Sequence, residues 1–197
     1  INSPHDAKTM YHAGNVLFKT TDGGLSWSVI SPDLTRNDTT KQDVSGGPIT
    51  NEGAGGENYN TIYYVIESAK EPGVIYTGSD CGLVHLTRDG GKTWNNVTPK
   101  DLPECMIHSI EVSPHDNGTV YISASRYKFN DYSNMTMKST DYGKTWTKIG
   151  VGVETDDFIK VIREDKVVKD LLYAGSERGF YISTNGGNSF NKFQLNL

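Results

Sequence analysis

Cysteine is scarce here: two residues, Cys81 and Cys105, in a chain of 197. Two thiols make no disulfide framework, so they read as unlinked, with a Cys81–Cys105 bridge as the alternative. Basic charge is also in short supply. Nineteen Lys and Arg stand against 24 Asp and Glu, for a formal charge of -5, and the signs are mixed throughout with no basic block. Nothing in that pattern draws the chain to nucleic acid or to an anionic membrane. No apolar run approaches the roughly 20 residues that span a bilayer, so no membrane insertion is expected, and no signal-peptide pattern opens the sequence. The histidines His5, His12, His85, His108 and His115 are scattered without the pairing that zinc sites use. Neither a metal nor another cofactor is expected.

What the chain has in abundance is glycine, 21 residues, and tyrosine, 11, a balance that suits an all-β globular protein. It also repeats itself. "TTDGGLSW" (Thr20 to Trp27) returns as "TRDGGKTW" (Thr87 to Trp94), as "STDYGKTW" (Ser139 to Trp146) and, more softly, as "STNGGNSF" (Ser183 to Phe190). Four such octapeptides in order mark an internal repeat, and the repeat decides the fold.

Strand-like runs flank each box. In the third unit "IHSIEVSP", "TVYISAS", "MTMKST" and "TWTKIG" read as four strands in succession, with "HDNG" reversing the first pair. The second and fourth units match, while the first keeps only "INSP" of its opening strand. Four-stranded antiparallel units at this period predict β-propeller blades: four of them, the first incomplete, as part of a larger propeller. The expected boundaries are about 1–33 for blade one, 34–58 for an inserted loop, 59–100 for blade two, 106–150 for blade three and 157–197 for blade four. Residue 1 falls inside a repeat, so the natural N-terminus is expected to lie upstream.

The box then belongs on the hairpin joining strands three and four. Its acid accepts backbone N–H bonds across the turn, and its second glycine takes a positive φ. Repetition argues against catalysis by these acids, because an active site needs one arrangement and a turn is needed in every blade. Asp22, Gly24 and Trp27, Asp89, Gly91 and Trp94, Asp141, Gly143 and Trp146, and Asn185, Gly187 and Phe190 are therefore expected to be structural.

On these motifs the chain resembles the Asp-box, or BNR, repeat proteins, most closely propellers of the sortilin (VPS10) type, including exported bacterial proteins labelled glycosyl hydrolases. The resemblance covers nearly the whole chain. It implies an extracytoplasmic protein, secreted or periplasmic, and says much about fold but little about activity. Its first implication is a non-catalytic propeller binding protein or glycan; the alternative is a glycoside hydrolase using paired carboxylates. A sialidase fits poorly, since Arg126, Arg163 and Arg178 stand in no sialidase-like motif.

Spacing points to where function sits. The box positions 22, 89, 141 and 185 are 67, 52 and 44 residues apart, and the surplus falls in 31–60 and 126–134. In an up-and-down blade both connections lie on one face, and long loops in compact domains are functional or mobile. Glu57, Asp80 and Asp131 are the expected catalytic candidates; Glu52, Asn58, Tyr59, Arg126, Tyr127, Tyr132, Asp156, Asp157 and Arg178 are the expected ligand-binding candidates. Further partners are the remaining blades of the parent protein, or a second copy through the end blades.

Overall fold

The computed structural model describes residues 1–42 and 59–193. Glu52, Glu57 and Asn58 lie outside the described residues. Four antiparallel sheets follow one another along the chain. Blade one has β1 (Met10–Ala13), β2 (Leu17–Thr20) and β3 (Ser28–Val29). Blade two has β4 (Ile62–Glu67), β5 (Ile75–Ser79), β6 (Val84–Thr87) and β7 (Asn95–Asn96). Blade three is built from β8 (Met106–Val112), β9 (Val120–Arg126), β10 (Asp131–Ser139) and β11 (Thr147–Ile149). Blade four is built from β12 (Ile159–Glu164), β13 (Leu172–Ser176), β14 (Phe180–Ser183) and β15 (Asn191–Lys192).

Each sheet is an up-and-down meander whose strands pair in sequence order. Blade one is the exception in strand number: of its inner strand only an Asn2–Met10 bridge remains. The all-β propeller expectation, with an incomplete first blade, is met.

Packing is arranged by seam rather than by blade. Tyr11, Leu17, Ile62 and Ile75 form a core between blades one and two; Tyr76, Leu86, Ile107 and Ile122 fill the next seam; Tyr121, Ile149, Ile162 and Phe190 fill the third. Alternation along the strands makes this possible, since each sheet is apolar on both faces where it meets neighbours. Gly78 shows how close the approach is. A Cβ there would sit 2.4 Å from Ile107 Cγ2, so only glycine lets the inner strand of blade three settle against β5.

The inner strands share an irregularity. Register shifts fall between Ile62 and Tyr64, between Ile107 and Ser109, and between Ile159 and Val161. Tyr63, His108 and Lys160 are thus the extra residues of three equivalent β-bulges, at the start of each inner strand. Bulges leave a residue unpaired in the ladder and re-aim its side chain.

Candidate functional site

The bulges assemble a surface. His108 Nε2 lies 2.6 Å from Ser125 Oγ, and burial, followed by the Lys160 charge, pushes its imidazole down to about 4. It is a neutral ring at physiological pH. Phe158, immediately before β12, is buried and stacks on two rings at once: His108 at 5.9 Å and 19°, and Tyr127 at 5.9 Å and 5°. Tyr63 meets His108 edge-on at 6.2 Å, and Tyr132 leans on Phe158 at 6.4 Å. Around Phe158 and the half-buried His108, Tyr63, Tyr127 and Tyr132 keep 55%, 37% and 41% of their surface exposed. Lys160 Nζ lies 5.8 Å from the Phe158 ring centre and is paired with Glu177. The result is an aromatic platform with a charged rim, built from blades two, three and four.

The long loop between strands two and three of blade three is held by Arg126. Its Nε donates to Glu104 O at 2.9 Å, its Nη1 lies 3.3 Å from Asp131 Oδ2, and its guanidinium covers Phe129 at 4.9 Å. After one turn of 3-10 helix at Tyr127–Phe129, β10 begins at Asp131, four residues earlier than the sequence pattern suggests. A groove of about 670 Å3 runs between residues 130–134, where this loop enters β10, and residues 148–156, which run from β11 towards blade four. The two kinds of connection do share one face.

The expected site residues are distributed unevenly over it. Tyr127 and Tyr132 join the platform, and Asp131, Tyr132 and Asp156 line the groove. Tyr59 is buried instead: its hydroxyl donates to Glu104, while Lys41 lies 5.6 Å from its ring and 2.7 Å from Glu104. Asp157 is also buried, accepting from Ser176 Oγ at 2.6 Å and Tyr181 OH at 3.1 Å, with its Oδ1 unpartnered. Arg178 is exposed on the turn beside Glu177. Asp80 accepts from Thr61 N at 2.9 Å and Thr61 Oγ1 at 3.1 Å, and burial raises its carboxyl above the usual range. Asp131 goes the other way, lowered first by the Ser133 hydroxyl at 2.6 Å.

Sequence reasoning passed over Tyr63, His108, Phe158 and Lys160. One signal was available: an isoleucine, Ile62, Ile107 or Ile159, precedes each bulged residue.

The boxes lie at the opposite hairpins and are alike in detail. In the second, Thr87 Oγ1 donates to Asp89 Oδ1 at 2.8 Å and accepts from Gly91 N at 2.9 Å, while Asp89 accepts from Thr93 N at 2.9 Å and Thr93 Oγ1 at 2.7 Å. Both carboxylate oxygens are engaged by the turn itself. Among the described residues no group of His, Cys, Asp and Glu is placed to hold a metal, both cysteines are free and buried, and no helix is long and apolar enough to cross a membrane.

No protein-family model matches the chain. Over 181 residues it is 27% identical to a probable oligoxyloglucan-reducing end-specific xyloglucanase of Neosartorya fischeri, a match covering 78% of this chain and 20% of that protein. An ancestral GH74 enzyme superposes on 100% of the chain with a TM-score of 0.73 at 16% identity, the chain covering 24% of it. The GH74 xyloglucanase of Xanthomonas campestris superposes on 98% with a TM-score of 0.69 at 18% identity, with 29% of it covered. For the GH74 enzyme of Niastella koreensis the figures are 97%, 0.68, 21% and 28%. The chain thus spans less than a third of these relatives, and at such identities the likeness carries the fold. Sheet order, seam packing and superposition agree that this chain is a stretch of β-propeller.

Proposed function

We propose that this chain is a segment of an exported, carbohydrate-directed propeller protein, that the Tyr63–Tyr127–Tyr132 platform contacts the sugar, and that the protein it belongs to hydrolyses glycosidic bonds. The platform carries the reading. Flat exposed rings over the buried Phe158 and its stacked His108 offer an apolar surface to the C–H face of a pyranose, and the charged rim supplies hydroxyl partners. The xyloglucanase among the relatives supports a polysaccharide as substrate class.

Hydrolysis asks for two carboxyl groups in opposite states, one held protonated and one ionised. Asp80, raised by burial, suits the acid, and Asp131, lowered by Ser133, suits the base or nucleophile. Glu57 is the remaining candidate.

A second reading, non-catalytic binding of glycan or protein in the manner of sortilin-type propellers, is favoured by one observation. Thr61 occupies both oxygens of Asp80, and Ser133 and Arg126 occupy those of Asp131.

Titration of the chain with xyloglucan oligosaccharides and a wider glycan panel, alongside a reducing-sugar assay, tests both. Tyr127→Ala and Tyr63→Ala are expected to weaken binding about tenfold, the loss of one stacking contact, whereas Lys144→Ala on a box hairpin leaves it unchanged. Equal losses on both faces would overturn the assignment. Binding without hydrolysis, also in the parent protein, would favour the second reading.

A further inference from the structure

An asparagine followed by glycine can modify itself without an enzyme, because no side chain shields the glycine nitrogen. That nitrogen attacks the asparagine carboxamide carbon, ammonia leaves, and water opens the resulting succinimide to aspartate or isoaspartate. Nothing is oxidised or reduced: a carboxamide and water become a carboxylate and ammonium. The chain has two such pairs, Asn117–Gly118 and Asn185–Gly186. The side chain must swing onto the nitrogen, so whatever ties down either group holds the reaction back. Asn185–Gly186 is tied at both. The Asn185 Oδ1 accepts from Ser183 Oγ at 2.8 Å and Ser189 N at 3.0 Å, its Nδ2 donates to Ser189 Oγ at 2.8 Å, and Gly186 N donates to Asp170 O at 2.9 Å.

Asn117–Gly118 is tied at neither, and the other blades show why. The pair sits in the turn between β8 and β9, closed by Thr119 N donating to Asp116 O at 3.4 Å. The same turn joins β4 to β5, where Val74 N donates to Glu71 O at 3.1 Å, and β12 to β13, where Leu171 N donates to Val168 O at 3.4 Å. In both of those a glutamate at the end of the inner strand, six residues earlier, pins the nitrogen of the third turn residue: Gly73 N donates to Glu67 Oε1 at 2.9 Å and Asp170 N to Glu164 Oε1 at 3.0 Å. Blade three has Val112 at that place, which accepts nothing through its side chain, and Gly118 N donates to no described residue. The Asn117 side chain is exposed and has no hydrogen-bond partner among the described residues. Gly118 itself is buried beneath Tyr142, a cover that slows the approach of base without holding the nitrogen.

We infer that Asn117 is a self-modifying site, converted to aspartate and isoaspartate within the folded protein while Asn185 persists. The change falls on a joint. The Asn117 turn clasps blade four, His115 Nε2 lying 2.7 Å from Asp165 O and Asp116 Oδ2 2.7 Å from Lys169 Nζ. Either product adds a negative charge beside that clasp, and isoaspartate also lengthens the main chain by a methylene.

The test holds the folded chain in warm, mildly alkaline buffer made with heavy-oxygen water, then digests it in ordinary water and maps the peptides by mass spectrometry, so that only the incubation leaves the label. Label and the mass gain of an amide turned acid are expected at 117, with 185 unchanged; the chain unfolded in urea is expected to gain both. Val112→Glu supplies the missing carboxylate, at a place where Glu67 and Glu164 show that the fold accepts one, and is expected to slow the reaction at 117 about tenfold, the factor that a hydrogen bond to a charged acceptor is worth. Circular dichroism checks that this variant folds; should it not, the wild-type contrast between the two sites decides alone. An unlabelled Asn117 in the folded chain, an Asn185 labelled as fast or faster, an unfolded chain that reacts at 117 alone, or a folded Val112→Glu variant that reacts like wild type would each overturn the inference.

Discussion

Asn185 takes the place of aspartate in the fourth turn and reverses one hydrogen bond. Its Oδ1 still accepts from Ser183 Oγ at 2.8 Å and Ser189 N at 3.0 Å, while its Nδ2 donates to Ser189 Oγ at 2.8 Å. The serine hydroxyl turns round to accept, and the turn keeps its count of bonds. Asp89→Asn and Asp141→Asn are accordingly expected to lower the thermal midpoint only slightly at neutral pH. Their acid behaviour differs more. The Thr93 and Thr145 hydroxyls hold the two carboxyls down to about 2. The stability each adds is complete above the unfolded value near 4 and is lost as pH falls through about 2. Acid titrations followed by circular dichroism should show a shallower decline between about pH 4 and 2 in the asparagine variants. A steeper decline would contradict the hydrogen-bond account. This part of the molecule was legible because a local turn, written four times, needs no knowledge of its neighbours. Tyr59 was misjudged as a ligand contact for the opposite reason: its burial depends on Lys41 and Glu104, which are distant in sequence.

Strands were readable wherever alternation governs them, and the 126–134 connection was rightly placed on the face that also carries residues 148–156; most of the other surplus loop, 43–58, lies outside the described residues. What alternation hides is register. A bulge costs one residue in a run and looks in sequence like a small break in pattern, so the side chains it turns outward went unnoticed: Tyr63, His108 and Lys160. Phe158 was missed because its partners come from another blade. The start of β10 at Asp131 was hidden likewise, since it rests on the pairing of Asp131 with Arg126 across the strands. Gly78 gives the element scale its test. Gly78→Val would drive methyl groups into Ile107 and is expected to cost about 3 kcal/mol in denaturant unfolding, the upper range for overpacking. Glu111, in β8, offers another. Burial, only partly offset by Arg163, pushes its carboxyl up to about 7, so the fold is most comfortable with it protonated. That stability is whole below about 4.5 and fades as pH rises towards 7. Glu111→Gln is expected to gain stability over wild type as pH rises from 5 to 8, with little difference at pH 4; an unchanged gap across that range would refute the assignment.

For the whole molecule the seams matter most, because the apolar cores lie between blades. Trp94→Phe keeps the ring and removes only the indole bond to Ile30 O, so a loss of about 1 kcal/mol is expected, and Phe190 already shows that a phenyl ring is accommodated. Trp94→Ala also leaves a void in the seam and is expected to cost about 3 to 5 kcal/mol. Thermal unfolding of the two variants separates the terms. The aligned bulges have a further effect on how such a molecule changes over generations. A residue without a cross-strand partner is released from the pairing rules that bind its neighbours, so the exposed side chains at 63 and 160 can be exchanged while the blades beneath them stay as they are, whereas His108 is held by Ser125 and by its stack on Phe158. The platform is in this sense a palette of two interchangeable positions around a fixed ring, and a small combinatorial library at 63 and 160 should yield folded proteins with new appetites for ligand.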